Sequence, residues 1–171
     1  NSLVGECVIS RLSQDGRHTV AFSRRLSGGE SEPGVTWLQL LASLPNHPEV
    51  PSITHWLCVV PIWVLPQYFG LIETSDVRRV VALSSTSLFI KEDSSDCGER
   101  HVAHRLAEGE CALRAWAEAR GIEWVILRPT LIYGHGRDKN LAEIIRFVRR
   151  WRFFPILGQA DGLRQPVHAE D

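Results

Sequence analysis

The chain has 171 residues, 44% hydrophobic and 23% charged, a composition typical of one globular domain with a core of its own. The net charge of -1 argues against a global field that would draw the chain to nucleic acid or to anionic lipid. The longest apolar stretch, Trp56 to Leu65, is too short to span a bilayer and contains Pro61. The four cysteines have no C-x-x-C spacing, so neither a zinc knuckle nor a thioredoxin-type dithiol is indicated, and Cys7 and Cys58 lie in apolar runs that predict small core residues. A reducing, cytoplasmic setting fits these cysteines best. We therefore expect no nucleic-acid partner and no membrane partner.

The first third of the chain alternates one helical pattern with short apolar runs. Leu3 to Gln14 has apolar residues at helical spacing and stops before Gly16, which predicts a helix. Strands are predicted at 19–23, 35–41 and 53–60. The segments between them are rich in glycine, serine or proline, so 26–34 is predicted as a loop and 42–52 as holding a very short helix at most.

The rest of the chain continues the alternation with longer helices. Residues 62–74 are predicted as a helix with Pro66 near its first turn, and 79–84 as a strand buried on both faces. A long helix is predicted at 99–120, ended by Gly121, followed by a strand at 124–127 and a helix at 138–151. Strands that alternate with helices predict an α/β fold, with a parallel sheet covered by helices on both faces.

Four segments, in this order, resemble the extended short-chain dehydrogenase/reductase superfamily, in its epimerase/dehydratase branch. They are Asn1-Ser-Leu-Val-Gly5, Val81-Ala-Leu-Ser-Ser-Thr-Ser87, Leu127-Arg-Pro-Thr-Leu-Ile-Tyr-Gly134 and Arg164-Gln-Pro-Val-His-Ala-Glu-Asp171. The resemblance implies a Rossmann-type doubly wound parallel sheet that binds NAD(P) in residues 1–134. It also implies that residues 135–171 begin a smaller C-terminal substrate lobe.

In this family the first strand of the domain lies at the centre of the sheet and directly precedes the glycine-rich turn. The chain starts at that turn, begins with Asn1 and contains no methionine. We therefore expect these residues to belong to a longer protein that supplies the central strand. A central strand built from residues 1–171 themselves would contradict this expectation.

The first segment resembles the end of the turn that receives the cofactor pyrophosphate. Bare backbone N–H groups and the positive end of a helix dipole bind such a group. The resemblance assigns cofactor contacts to Ser2, Leu3, Val4 and Gly5, with Ser2 standing where the family usually has a glycine. The alternative is a plain helix start, because serine is also a good N-cap residue.

The end of the second family strand indicates which dinucleotide is bound. Sites for NAD usually carry a carboxylate there, bonded to the ribose, whereas this chain has Ser23, Arg24 and Arg25. An arginine pair suits a 2′-phosphate, so NADP is favoured, with NAD as the other candidate. The alternative is that both arginines are solvated surface residues.

Three further segments end strands near the cofactor in the family. Val60 and Pro61 lie at the end of the strand predicted at 53–60, and Arg128, Pro129 and Thr130 pass the nicotinamide. Ser84 is assigned to the cofactor, and Ser85 or Thr86 supplies a hydroxyl to the substrate oxygen that becomes negative. The alternative for the hydroxyl groups is the capping of strand-end backbone, which is common.

The family's catalytic tyrosine and lysine, four residues apart on the long helix, are missing. Counting back from Arg128 places the pair at Val102 and Leu106, and a shift of one residue places it at His101 and Arg105. His101 could donate a proton and Arg105 could hold the ribose, although both also suit an exposed helix face.

Two functions remain open. The first is an NADP-linked enzyme acting on a small-molecule substrate, a sugar nucleotide or a carbonyl compound. The second is a non-catalytic NAD(P)-binding sensor or scaffold, favoured by the missing pair. The resemblance also implies a homodimer formed through the long helices. We assign no metal ligand.

Overall fold

The first helix begins at a serine that caps it. In a computed structural model, which describes residues 2–24, 33–40, 51–136, 140–155 and 165–171, α1 spans Leu3–Gln14. The Ser2 hydroxyl accepts a hydrogen bond from the Gly5 N–H at 3.0 Å. Gly16, with φ of 67°, ends the helix in the left-handed conformation that glycine adopts without strain. This helix and its limits confirm the sequence prediction.

Five short strands form two parallel sheets. The first sheet pairs β1, Thr19–Ser23, with β2, Val35–Gln39. The second has the order β3, His55–Cys58, then β4, Arg79–Leu83, then β5, Glu123–Leu127. All neighbouring strands in both sheets are parallel. The α/β class predicted from the sequence is therefore confirmed.

Two helical segments and one long helix cover one face of the three-stranded sheet. A 3-10 helix, Ile62–Tyr68, leads into α2, Phe69–Glu73, and both precede β4. The helix α4, Cys97–Glu118, packs against the 3-10 helix and β5. Their apolar side chains meet those of the strands in a core centred on Val80 and Leu113, both fully buried.

The helix predicted at 62–74 is wrong in type over its first half. Pro66 has no N–H and its ring clashes with the carbonyl four residues earlier, so the α-helical pattern cannot run through it. The tighter 3-10 pattern accommodates the proline, and the α-helix begins only at Phe69.

Three small elements are present that the sequence patterns did not predict. They are α3, Ser87–Ile90, and the two-residue strands β6, Ile132–Tyr133, and β7, Val167–His168, which pair in parallel. Elements this short carry no measurable periodicity. The helix α5, Asn140–Trp151, lies within the predicted 138–151. The predicted loop at 26–34 and the segment 42–52 lie mostly outside the described residues.

The described residues do not form a complete doubly wound sheet. Within them no backbone ladder joins β1 to β3, although the rings of Phe22 and Trp56 stack with centroids 5.2 Å apart. Helices cover one face of the three-stranded sheet, whereas Leu57, Val125 and Leu127 on the other face are 42–48% exposed. The predicted coverage of both faces is thus seen on one face only, since α1 packs against β1 instead.

Candidate functional site

Polar and small residues gather where three parallel strands end. Since β3, β4 and β5 run in the same direction, their carboxyl ends lie at one edge of the sheet. Backbone hydrogen bonds extend the contact past the strand ends, from the Ser84 N–H to the Leu127 carbonyl at 2.8 Å and from the Thr86 N–H to the Pro129 carbonyl at 3.2 Å. The two predicted segments around Ser84 and Pro129 are therefore brought side by side.

The beginning of α1 lies at the same edge. A Cβ atom placed on Gly5 would be 3.5 Å from the side chain of Val59, which directly follows β3, and 2.8 Å from the hydroxyl of Ser2. The first turn of α1 thus lies within van der Waals distance of the end of β3, and the short contact of such a Cβ is with Ser2, which caps the same helix. Leu3 and Val4 belong to the first turn, whose N–H groups have no acceptor within the helix.

A buried carboxylate joins α4 to the ends of β4 and β5. The Glu110 side chain is 4% exposed and accepts two hydrogen bonds from Arg128, from Nε at 2.8 Å and from a terminal guanidinium nitrogen at 2.5 Å. The Ser84 hydroxyl donates to the same carboxylate at 2.5 Å. Three donors, two of them from one bidentate arginine, are the arrangement that allows a carboxylate charge to be buried.

The pKa of Glu110 reflects this arrangement. Burial by itself would raise the pKa, but the hydrogen bonds from Arg128 and Ser84, with the charges of Arg128 and Arg114, lower it below its ordinary value. The hydrogen bond to Glu110 in turn raises the pKa of the Arg128 guanidinium. The group is therefore an ion pair at neutral pH.

The remaining hydroxyl groups at this edge have backbone partners. The Ser85 hydroxyl accepts from the Ser87 N–H at 3.1 Å, and the Thr86 hydroxyl lies 3.5 Å from the Pro129 carbonyl. The Thr130 hydroxyl donates to the Gln165 carbonyl. Contacts of this kind are expected for hydroxyl groups that cap backbone, which is the alternative to a catalytic role. Ser85 and Thr86 are both half-buried.

The residues predicted to select and hold the dinucleotide follow the ends of β1 and β3. Ser23 ends β1, and Arg24 follows it as an exposed residue whose carbonyl accepts from the Gln39 side chain. Pro61 starts the 3-10 helix after the half-buried Val60. Arg25 lies outside the described residues.

The substitute acid–base pair lies on α4, and its arginine contacts the 3-10 helix that follows Pro61. His101 is exposed on α4, and the Arg105 guanidinium lies over the Trp63 ring, 4.5 Å from its centroid. Leu106, the other position for the missing lysine, is a core residue at 3% exposure. A role for His101 and Arg105 in proton transfer stays a prediction.

Glu110 was missed by the sequence reasoning, although its signal is present. It lies on the apolar side of α4, in the same stripe as Leu106, Leu113 and Ala117, where a charged residue is unexpected. A glutamate on an apolar helical stripe predicts a buried partner of opposite charge. Its partner could not be named, because Arg128 lies 18 residues later on another element.

Outside this edge, the described part of the chain offers few other chemical sites. It contains no group of three or more histidine, cysteine, aspartate or glutamate side chains arranged to hold a metal ion. It likewise has no helix with the length and apolar character needed to cross a membrane.

Models of known protein families give no match to the chain, and curated proteins give no similar sequence either.

Proposed function

We propose that the chain binds NAD(P) at the carboxyl edge of its parallel strands, as an epimerase/dehydratase-like or reductase-like protein of the short-chain dehydrogenase class. One observation carries the proposal, namely that three parallel strand ends and the beginning of α1 meet at this edge. Ligands of open α/β sheets bind at the carboxyl ends of the strands. A pyrophosphate beside Ser2 and Gly5 would meet first-turn N–H groups and the positive end of the helix dipole.

We further propose a Rossmann-type sheet for the whole protein. The two sheets have the orders β2-β1 and β3-β4-β5, and one more strand placed between β1 and β3 would join them into a doubly wound sheet. The aromatic contact between Phe22 and Trp56 supports this neighbourhood of the two sheets. Direct backbone contacts between β1 and β3, detected by nuclear Overhauser effects, would contradict it.

The preference for NADP rests on Arg24, which is exposed directly after β1. Its guanidinium suits a 2′-phosphate, and no carboxylate stands at residues 23–25 to bind a ribose hydroxyl. We expect Arg24→Asp to weaken NADPH binding roughly tenfold more than NADH binding, as measured by cofactor fluorescence titration. The matched control is Arg78→Asp, the same charge change before β4, at the opposite edge, which should leave both affinities unchanged. Equal losses for the two cofactors in Arg24→Asp would overturn the 2′-phosphate role.

A non-catalytic NAD(P)-binding module is the second candidate. It is favoured by the two positions that would hold the lysine, because Leu106 is part of the core and Arg105 is stacked on Trp63. At the position of the tyrosine, Val102 has no proton to donate and His101 is exposed on α4.

Binding and turnover measured on the same protein separate these candidates. The protein is titrated with NADPH and NADH, and then assayed against a panel of carbonyl compounds and sugar nucleotides. Turnover that is lost in Thr86→Val supports the enzyme, whereas binding without any turnover supports the module. Absence of binding to either dinucleotide would overturn both.

The proposed partners follow from the same class. We propose a small-molecule substrate, a sugar nucleotide or carbonyl compound, and a homodimer formed through the long helix α4. The four cysteines are unpaired thiols, which supports the proposal of a reducing, cytoplasmic setting. Sedimentation of the purified protein as a monomer at micromolar concentration would contradict the dimer.

A further inference from the structure

A second cluster of chemical groups lies along α1. Residues of α1 and of the segments around 135 and 170 line a cavity of about 890 Å³. Cys7 is half-buried in its wall, and not in a core as its apolar neighbours along the sequence suggest. The cavity is therefore a place where a small molecule can reach this thiol.

A histidine and a glutamate stand beside the thiol. The Nε2 atom of His135 lies 3.8 Å from the Sγ of Cys7 and 3.3 Å from the Oε1 of Glu170. Once His135 has taken the thiol proton on Nε2, the resulting N–H can donate to both the thiolate and the carboxylate. The carboxylate thus stabilises the imidazolium that the proton transfer creates.

We propose that Cys7 is a reactive thiol that exchanges with small disulfides carrying an ammonium group, with His135 as its base. The thiolate sulfur attacks one sulfur of the disulfide, the bond between the two sulfurs of the reagent breaks, and a mixed disulfide forms on Cys7. The leaving thiolate takes the proton from the His135 imidazolium and departs as a free thiol. The disulfide is the oxidant, and one molecule of it is consumed for each modified cysteine.

The charge of the cavity sets the class of reagent. Among the described residues that line it, Glu170 and Asp171 supply carboxylates, and the arginine there, Arg11, forms an exposed ion pair with Asp15. A cationic disulfide is attracted by the surplus of carboxylates, and an anionic one is repelled. The carboxylates that set this selectivity are not among the residues assigned to the dinucleotide, although Leu3 lines the cavity and also belongs to that site.

The chain contains its own comparison thiols. Cys111 is exposed on α4 and contacts no histidine within the described part of the chain. Burial raises the pKa of Cys58 to about 12, which makes it the unreactive reference. A rate measured at Cys7 can therefore be compared with those of Cys111 and Cys58 in one sample.

The test follows mixed-disulfide formation at each cysteine by peptide mass spectrometry, with cystamine as the cationic reagent and dithiodiglycolate as the anionic one. With cystamine we expect Cys7 to react at least roughly tenfold faster than Cys111, and this ratio to fall with dithiodiglycolate. Reaction at Cys7 that is no faster than at Cys111 would overturn the proposal.

Single substitutions test whether His135 is the base that takes the proton of the Cys7 thiol. His135→Asn should slow the reaction at Cys7 by about tenfold or more and leave Cys111 unchanged. Asparagine is chosen because residue 135 has a φ of 51°, a conformation that asparagine tolerates well. The matched control is His104→Gln, which removes another exposed histidine paired with a glutamate, Glu108, and should change neither rate. An unchanged rate at Cys7 in His135→Asn, with the folded circular-dichroism spectrum retained, would refute the role of the histidine.

Discussion

At the scale of single residues, two arginine–glutamate pairs separate the effects of burial from those of charge. Arg128 binds the buried Glu110. Arg79 binds Glu123 at the surface, where the two side chains are themselves 50% and 66% exposed. Removing one member of a buried pair leaves the other charge without compensation in a poorly solvated place. An exposed charge is solvated by water when its partner is removed.

We expect Arg128→Ala to lower the free energy of unfolding by about 3 kcal/mol. Arg79→Ala, the matched control, should lower it by less than about 1 kcal/mol. Urea unfolding of the two variants and the parent protein at pH 7 measures both values. Similar losses in the two variants would show that Glu110 is not held as a buried carboxylate.

The same group predicts a pH dependence. The pKa of Glu110 is lower in the folded chain than its ordinary value of 4.5, so its contribution to stability is complete above that pH. The contribution is lost as the pH falls from there through the folded value. Glu110→Gln should therefore be less stable than the parent at pH 7, and the difference should shrink as unfolding is measured toward pH 3. A difference that stays constant over this range would contradict the prediction.

At the scale of elements, one glycine sets how closely α4 approaches the 3-10 helix. A Cβ atom on Gly109 would lie 2.8–2.9 Å from backbone atoms of Ile62 and Trp63. Backbone cannot rotate away as a side chain can, so the two helices would have to separate. Gly70, on α2, has nothing within 4 Å of the same position.

Gly109→Ala should therefore destabilise the protein by roughly 1–3 kcal/mol through overpacking, even though alanine is the better helix former. Gly70→Ala should stabilise it by up to about 1 kcal/mol, because only helix propensity changes there. Thermal unfolding of both variants checks the contrast. Equal gains in stability would mean that the helices can part without cost.

Elements also show which sequence signals determine local structure. Ser2 with Gly16, and Asp96 with Gly121, limit α1 and α4 through hydrogen bonds and backbone conformations that belong to those residue types. Pro66 acts just as locally, and its effect on the helix type could have been predicted from its missing N–H. The pairing of β6 with β7 could not, because it joins residues 35 positions apart.

At the scale of the whole molecule, stability is distributed unevenly. The strand β4 lies between β3 and β5 and contains Val80 and Ala82, which are almost completely buried. The helix α5 is strongly amphipathic, yet its apolar side chains Ile145, Val148 and Trp151 are 37–56% exposed. A helix of 12 residues is marginal in water without packing.

We expect amide hydrogen exchange to be slowest in β4 and fastest, among the regular elements, in α5. The difference should exceed about 2 kcal/mol in opening free energy, because α5 can open without exposing the core. Exchange measured by mass spectrometry or NMR provides the test. Protection of α5 equal to that of β4 would mean that a further surface covers its apolar side in solution.

The sequence by itself determined the α/β class, the limits of α1 and β1, and the segments that end the parallel strands. Each of these follows from short-range patterns: apolar periodicity, capping residues and glycine stops. Only the tertiary structure decided that Glu110 is paired with Arg128, that Cys7 contacts His135 in the wall of a cavity, and that Leu106 lies in the core. Those contacts join residues distant in the chain, and their energy depends on burial, which exists only once the elements have packed.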